Sequence, residues 1–172
     1  GFKALSKQIA SYGNTAVGGN SMENTTTGWH NTAIGDNSLI GNTTGADNVA
    51  IGSNALVSQT TVDATTAVGS FSLNANTTGV YNTAIGYTTL EKNTTGSSNT
   101  AIGYSSLKVN LTGSNNIALG KNSLSKNTTG ASNVAIGFEA LASNTTTGQL
   151  LAVGTQALNA NTTGYGNVAV GN

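Results

Sequence analysis

The chain has 172 residues, of which only 7% are charged; six Lys offset six acids and there is no Arg, so nucleic acid and anionic membranes find no electrostatic footprint. The absence of Cys excludes disulfides and thiolate metal sites. No apolar run reaches the length of a membrane-crossing helix, so membrane insertion is not expected.

In chain order, an Ala-[Ile/Val/Leu]-Gly triplet appears first at Ala16-Val17-Gly18 and then every 17 residues through Ala169-Val170-Gly171, with no insertion or deletion. The length amounts to ten periods and two further residues. A fixed period of this size marks stacked coils that bury a common core with their neighbours. We therefore expect one all-β domain over residues 1–172, a β-solenoid (β-roll) of ten 17-residue coils. At a strand spacing of about 4.8 Å it would form a rod of roughly 48 Å. A start at Gly1, without an initiator Met or signal peptide, fits a processed product or a segment of a longer fibre or polymer.

The triplet Gly is taken as position zero. Position four is Leu5, then Met22, then Leu39, Leu56, Leu73, Leu90, Leu107, Leu124, Leu141 and Leu158, one bulky unbranched residue per coil and the expected core ladder. Positions fourteen and sixteen are mostly β-branched, as in Thr83 and Ile85, and a strand places both on one face. These two are expected to face the core. Position fifteen then points the other way and is Ala in every coil. A small apolar residue repeated on an outer face predicts close approach by another backbone. Ala33, Ala50, Ala67, Ala84, Ala101, Ala118, Ala135 and Ala152 are thus expected to form a homo-oligomer face.

Two corners close each coil between two expected short strands. Position zero is Gly throughout, suited to positive φ or to a close neighbouring backbone. The second corner reads Asn-Thr-Thr-Gly, as in Asn93-Thr94-Thr95-Gly96, with turn chemistry in both its Asn and its Gly. The first coil, Gly1–Val17, lacks that corner; the second carries the lone Trp29 and His30, which read as surface residues. The fourth, Gly52–Val68, has no Gly in Val57–Asp63 and has Thr65 where Asn is usual; in the ninth the corner Gly shifts to Gly148. A file of Asn at position thirteen (Asn14, Asn31, Asn48, Asn82, Asn99, Asn116, Asn133 and Asn167) predicts amides stacked along the axis. The triplet Asn-x-[Ser/Thr] begins at Asn24, Asn42, Asn76, Asn93, Asn110, Asn127, Asn144 and Asn161. On an exposed corner these would be N-glycan acceptors in a secretory host, and the neighbouring Thr could take sugars too.

Chemistry for an enzyme is not evident. One His without Cys gives no triad or zinc set, and the six carboxylates fall at unrelated positions in the repeat. No catalytic residue, metal site or cofactor is implied. Aromatic residues lie beside corners, where they could stack on sugars or on one another.

Repeats such as Ala84–Thr100, which runs from Ala84-Ile85-Gly86 to Asn99-Thr100, resemble those of bacterial surface and phage tail-fibre-like proteins, and the Asn-Thr-Ala-Ile-Gly element resembles the head repeats of trimeric autotransporter adhesins. The resemblance implies a left-handed parallel β-roll that trimerises within an extracellular, cell-surface or virion fibre. The partner expected is therefore another copy of the chain, side by side or end to end in a filament. Two other functions fit the composition: an ice-binding solenoid using Thr ladders, and a carbohydrate-binding module.

Overall fold

The computed structural model describes residues 1–172. It contains strands and turns only. Each coil contributes one three-residue strand, from β1 (Thr15–Val17), β2 (Thr32–Ile34) and β3 (Val49–Ile51) through β4 (Thr66–Val68), β5 (Thr83–Ile85), β6 (Thr100–Ile102) and β7 (Ile117–Leu119) to β8 (Val134–Ile136), β9 (Leu151–Val153) and β10 (Val168–Val170). They form one parallel ten-stranded sheet in sequence order. Register advances by one repeat per strand, pairing Ala16 with Ala33 and Ala84 with Ala101. The expected solenoid and its 17-residue coil are both present.

The expected second strand is absent. In its place the chain curls through left-handed residues at positions two, four and twelve, such as Thr88 (φ 53°), Leu90 (φ 51°) and Ser98 (φ 57°). An L-residue in this region is uncommon, and for a bulky one such as Leu it is a true outlier. It persists because the coil must turn sharply to close in 17 residues, and because the turned backbone still bonds to its neighbours. Of 104 backbone–backbone hydrogen bonds only 18 lie within the sheet, so turns do most of the stitching. The Leu90 amide, for example, donates to Ser106 O on the next coil at 3.1 Å.

The core corrects the expected orientation of the strand. Ala33, Ala50, Ala67, Ala84, Ala101, Ala118, Ala135 and Ala152 are completely buried within the single chain, in one cluster with the position-four ladder. The Ala file is therefore an inner wall and not an oligomer face. Leu39, Leu56, Leu73, Leu90, Leu107, Leu124 and Leu141 are fully buried as expected, and Leu158 packs partly buried at the end of the cluster. A coil this narrow has room for one Leu per layer, so the residue facing it across the interior must be small. The β-branched pair at positions fourteen and sixteen is turned to the outside.

Both corners use Gly as read, for partly different reasons. At position zero Gly86 has φ 136°, and a Cβ there would lie 2.6 Å from Gly103 O on the adjoining coil. Position ten does not take positive φ. A Cβ on Gly79 would still meet Gly96 O on the next coil, and also Asn76 Oδ1 at 2.6 Å, so this Gly makes room for the neighbouring backbone and for the side chain that begins its own corner.

Candidate functional site

Two surfaces and three internal files of polar side chains carry whatever specific chemistry the solenoid has. The internal files come first, because they decide which residues reach solvent.

At position thirteen the expected amide ladder is formed. Asn48 Nδ2 donates to Asn31 Oδ1 at 3.1 Å and to Val62 O at 2.7 Å, and the same Oδ1 accepts the Asn48 backbone N–H at 3.0 Å. Asn99 and Asn116 repeat the pattern. Where the file is broken by Thr65 or Leu150, the backbone N–H still donates to the preceding Asn, at 3.0 Å and 3.1 Å. The Asn82 and Asn167 backbone N–H groups, which follow the two breaks, have no bond of this kind, unlike those of Asn99 and Asn116.

Position seven holds a second ladder, made of the Asn residues expected from the sequence as glycan acceptors. Asn42, Asn76, Asn93, Asn110, Asn127 and Asn144 are completely buried. Each Nδ2 reaches the position-ten carbonyl of its own corner, as Asn93 does to Gly96 O at 2.9 Å. From Asn93 to Asn144 it also donates to the Asn below, at 2.8, 2.7, 2.9 and 3.0 Å. A glycan on such a nitrogen would displace a buried hydrogen bond and push a sugar into the core. These six are structural amides. Asn24, bonded through Oδ1 to Lys7 Nζ at 2.6 Å, and Asn161 are half-buried and lie outside the ladder. A third file, at position three, joins Ser106 Oγ to Ser123 Oγ at 2.9 Å and to Ala118 O at 2.9 Å.

Fully buried amides joined coil to coil satisfy the donors and acceptors that burial would otherwise strand. One coil fails to do so. Gln59 occupies position seven of the fourth coil, is fully buried, and leaves both its amide atoms without a partner; Asn42 Oδ1 next to it is also unpartnered. Val62 stands where the other corners mostly have Gly, at the point where a Cβ would crowd an Asn Oδ1.

On the outside, the sheet presents positions fourteen and sixteen. Ile34, Ile85, Ile102 and Ile136 remain 37–40% exposed, and no charged residue occurs on any of the ten strands. Position fourteen is Thr in the first, second, fourth, fifth and sixth coils, but Ile117, Val134, Leu151 and Val168 in the last four. The face thus changes from mixed Thr and aliphatic to wholly aliphatic along the rod. Its area is about 48 Å by 10 Å, near 480 Å² in plan.

The other surface is the Thr-Thr corner. Position-eight hydroxyls are engaged by the backbone of the next coil, as Thr77 Oγ1 is by Thr94 O at 2.9 Å. Position nine is exposed in every coil from Thr27 to Thr163, leaving its hydroxyls to solvent. Aromatic rings stand in stacks along the corners. Tyr12 lies 6.0 Å from Trp29 at 9°, with His30 edge-on to both, and Tyr87 lies 5.8 Å from Tyr104 at 16°.

Titratable groups pair with lysine, in one case with histidine, or sit singly. Glu91 lies 3.2 Å from Lys92 and 3.5 Å from Lys108, Glu23 lies 3.6 Å from Lys3, and His30 Nδ1 lies 3.6 Å from Asp47. No group of three His, Asp or Glu side chains is placed to share a metal ion, and the surface has no pocket. No protein-family model, curated protein or solved structure matches the chain.

Proposed function

We propose that this chain is a structural segment of an extracellular or virion fibre, of the kind its repeats resemble, and that copies associate through the outer sheet face. The observation that carries this is the uncharged strip of Thr and aliphatic side chains, left partly exposed along the whole single chain. The face measures about 480 Å² in plan, with Thr in five coils and aliphatic side chains elsewhere, a size comparable with the 300–600 Å² of the largest, often functional patch of a monomer. Another copy of the same rod is the partner that matches it, because only the same coil offers side-chain rows at the same spacing along the full length. The four aliphatic coils at the carboxyl end supply the strongest contact, and the Thr-bearing coils a weaker one.

Solution mass tests this. The chain should form a defined oligomer by sedimentation equilibrium, and the double substitution Ile136→Lys/Leu151→Lys should return it to a monomer with unchanged circular dichroism. A wild-type chain that stays monomeric at high concentration would reject the proposal.

The same face supports a second reading, ice binding. Thr beside Ile or Val, at positions fourteen and sixteen of the parallel sheet, lies on the outer face in five coils, interrupted once by Val49. Thermal hysteresis by a monomer, abolished by Thr83→Lys, would favour that reading; a monomer without hysteresis would reject both.

A further inference from the structure

Position one, just after the strand-ending Gly, carries a run of rings up one corner. Tyr87 of the sixth coil and Tyr104 of the seventh lie with centroids 5.8 Å apart and planes 16° from parallel. Each is about half exposed, at 50% and 51%. The outer sides of the pair are taken: Phe71 meets Tyr87 edge-on at 6.2 Å, and Lys121 Nζ lies 5.8 Å from the Tyr104 ring. Tyr81 and Tyr165 are more exposed but have no aromatic neighbour, and Tyr12 faces Trp29. Two phenols are thus held side by side, open to a small oxidant, with one another as the only phenolic partner in reach.

We propose that Tyr87 and Tyr104 form an oxidative cross-linking site that yields dityrosine between neighbouring coils. Hydrogen peroxide, activated by a haem peroxidase, is the oxidant. It takes one electron and one proton from each phenol and is reduced to two molecules of water. The two ring radicals couple through carbons ortho to their oxygens, forming one carbon–carbon bond. The two ortho protons then move to the oxygens and restore both phenols. The product ties the sixth coil to the seventh across a corner otherwise joined by hydrogen bonds, which would resist peeling of the rod along its axis.

The test treats the folded full chain, at low concentration, with a haem peroxidase and hydrogen peroxide. Proteolysis and mass spectrometry should find the peptides containing Tyr87 and Tyr104 joined with the loss of two hydrogens. The intact chain should keep its single-chain mass on a denaturing gel and gain dityrosine fluorescence. Tyr104→Phe, which keeps the ring and its Lys121 contact, should remove that linked peptide and most of the fluorescence. Unfolding in urea before oxidation should remove the preference for this pair. Links made chiefly by Tyr81 or Tyr165, links chiefly between chains, or fluorescence unchanged by Tyr104→Phe would overturn the assignment.

Discussion

Truncating Asn127 to Ala separates a load held inside the solenoid from one displayed outside it. Asn127 Nδ2 donates to Asn110 Oδ1 and to Gly130 O, both at 2.9 Å, and its Oδ1 accepts from Asn144 Nδ2 at 3.0 Å. After truncation Gly130 O keeps Asn116 Nδ2 at 2.9 Å, and Asn144 Nδ2 keeps Thr147 O at 3.0 Å. Asn110 Oδ1 loses its only partner while fully buried. One stranded acceptor costs about 1–3 kcal/mol, and the other two bonds contribute about 1 kcal/mol each. The sum is a destabilisation of about 3–5 kcal/mol, before any penalty for the cavity. Asn161 begins the same Asn-Thr-Thr-Gly phrase but is half-buried, with bonds only to Gly164 O at 2.8 Å and from Asn167 Nδ2 at 3.3 Å. Water can replace both, so Asn161→Ala should cost about 1 kcal/mol or less. Thr129→Ala, an exposed change in the same corner as Asn127, should stay within about 0.5 kcal/mol. Urea unfolding followed by circular dichroism measures all three. Equal losses for Asn127→Ala and Asn161→Ala would refute the ladder argument, because the two share their local sequence and differ in what lies above and below.

The other predictions concern the core and the irregular fourth coil. Leu107, fully buried with φ 51°, should lose about 2–5 kcal/mol as Leu107→Ala. Leu107→Gly should come within about 1 kcal/mol of that value, because relief of the left-handed strain offsets the lost methyl; a Gly variant clearly worse than Ala in urea would contradict the backbone assignment. The pair Gln59→Asn/Val62→Gly should raise stability by about 2 kcal/mol. It gives partners to three stranded amide atoms at about 1–3 kcal/mol each, against about 1.5–3 kcal/mol for the buried Val side chain. An unchanged or lowered urea midpoint for the double variant would show that the fourth corner cannot hold an Asn ladder.

Much of this architecture could be read from the residues. The Leu file, the Gly at position zero, the strand at positions fourteen to sixteen and the position-thirteen amides follow from which residue types recur at which step. Alternation says that Ala84 faces opposite to Thr83 and Ile85, but it does not say which of the two sides is inside. Bulk suggested the β-branched pair; the width of a 17-residue coil decides for Ala, because Leu90 already fills the interior. The left-handed wall was hidden for another reason. Position two is Asn in four coils and position twelve is Gly, His, Asp or Asn in five, a partial left-handed preference that is diluted by Lys3, Phe71, Glu139, Ala64 and Tyr81 and is absent from the Leu file at position four. The position-seven Asn belongs to a triplet that reads alike whether it is exposed or buried, and burial of the corner is a property of the closed coil.

The fourth coil shows what the strict period protects. It has changed nearly every polar identity that its neighbours keep, with Gln59 for Asn, Val62 for Gly and Thr65 for Asn, yet it has the same number of residues. Its amide at Thr65 still reaches Asn48 Oδ1, and Leu56 still lies in the core file. A substitution therefore damages one column at its own level and the adjoining one, as the unpartnered Asn42 Oδ1 beside Gln59 shows, while the other columns keep their bonds. An inserted residue would displace several columns at once, because the amide ladders, the Ser file, the Leu file and the strand register all connect residues 17 apart. Each stranded polar group in those columns would cost about 1–3 kcal/mol, and several together would exceed the 5–15 kcal/mol that holds an ordinary domain folded. Identity is thus negotiable within a coil and length is not, which is why the repeat drifts in composition while its period remains fixed.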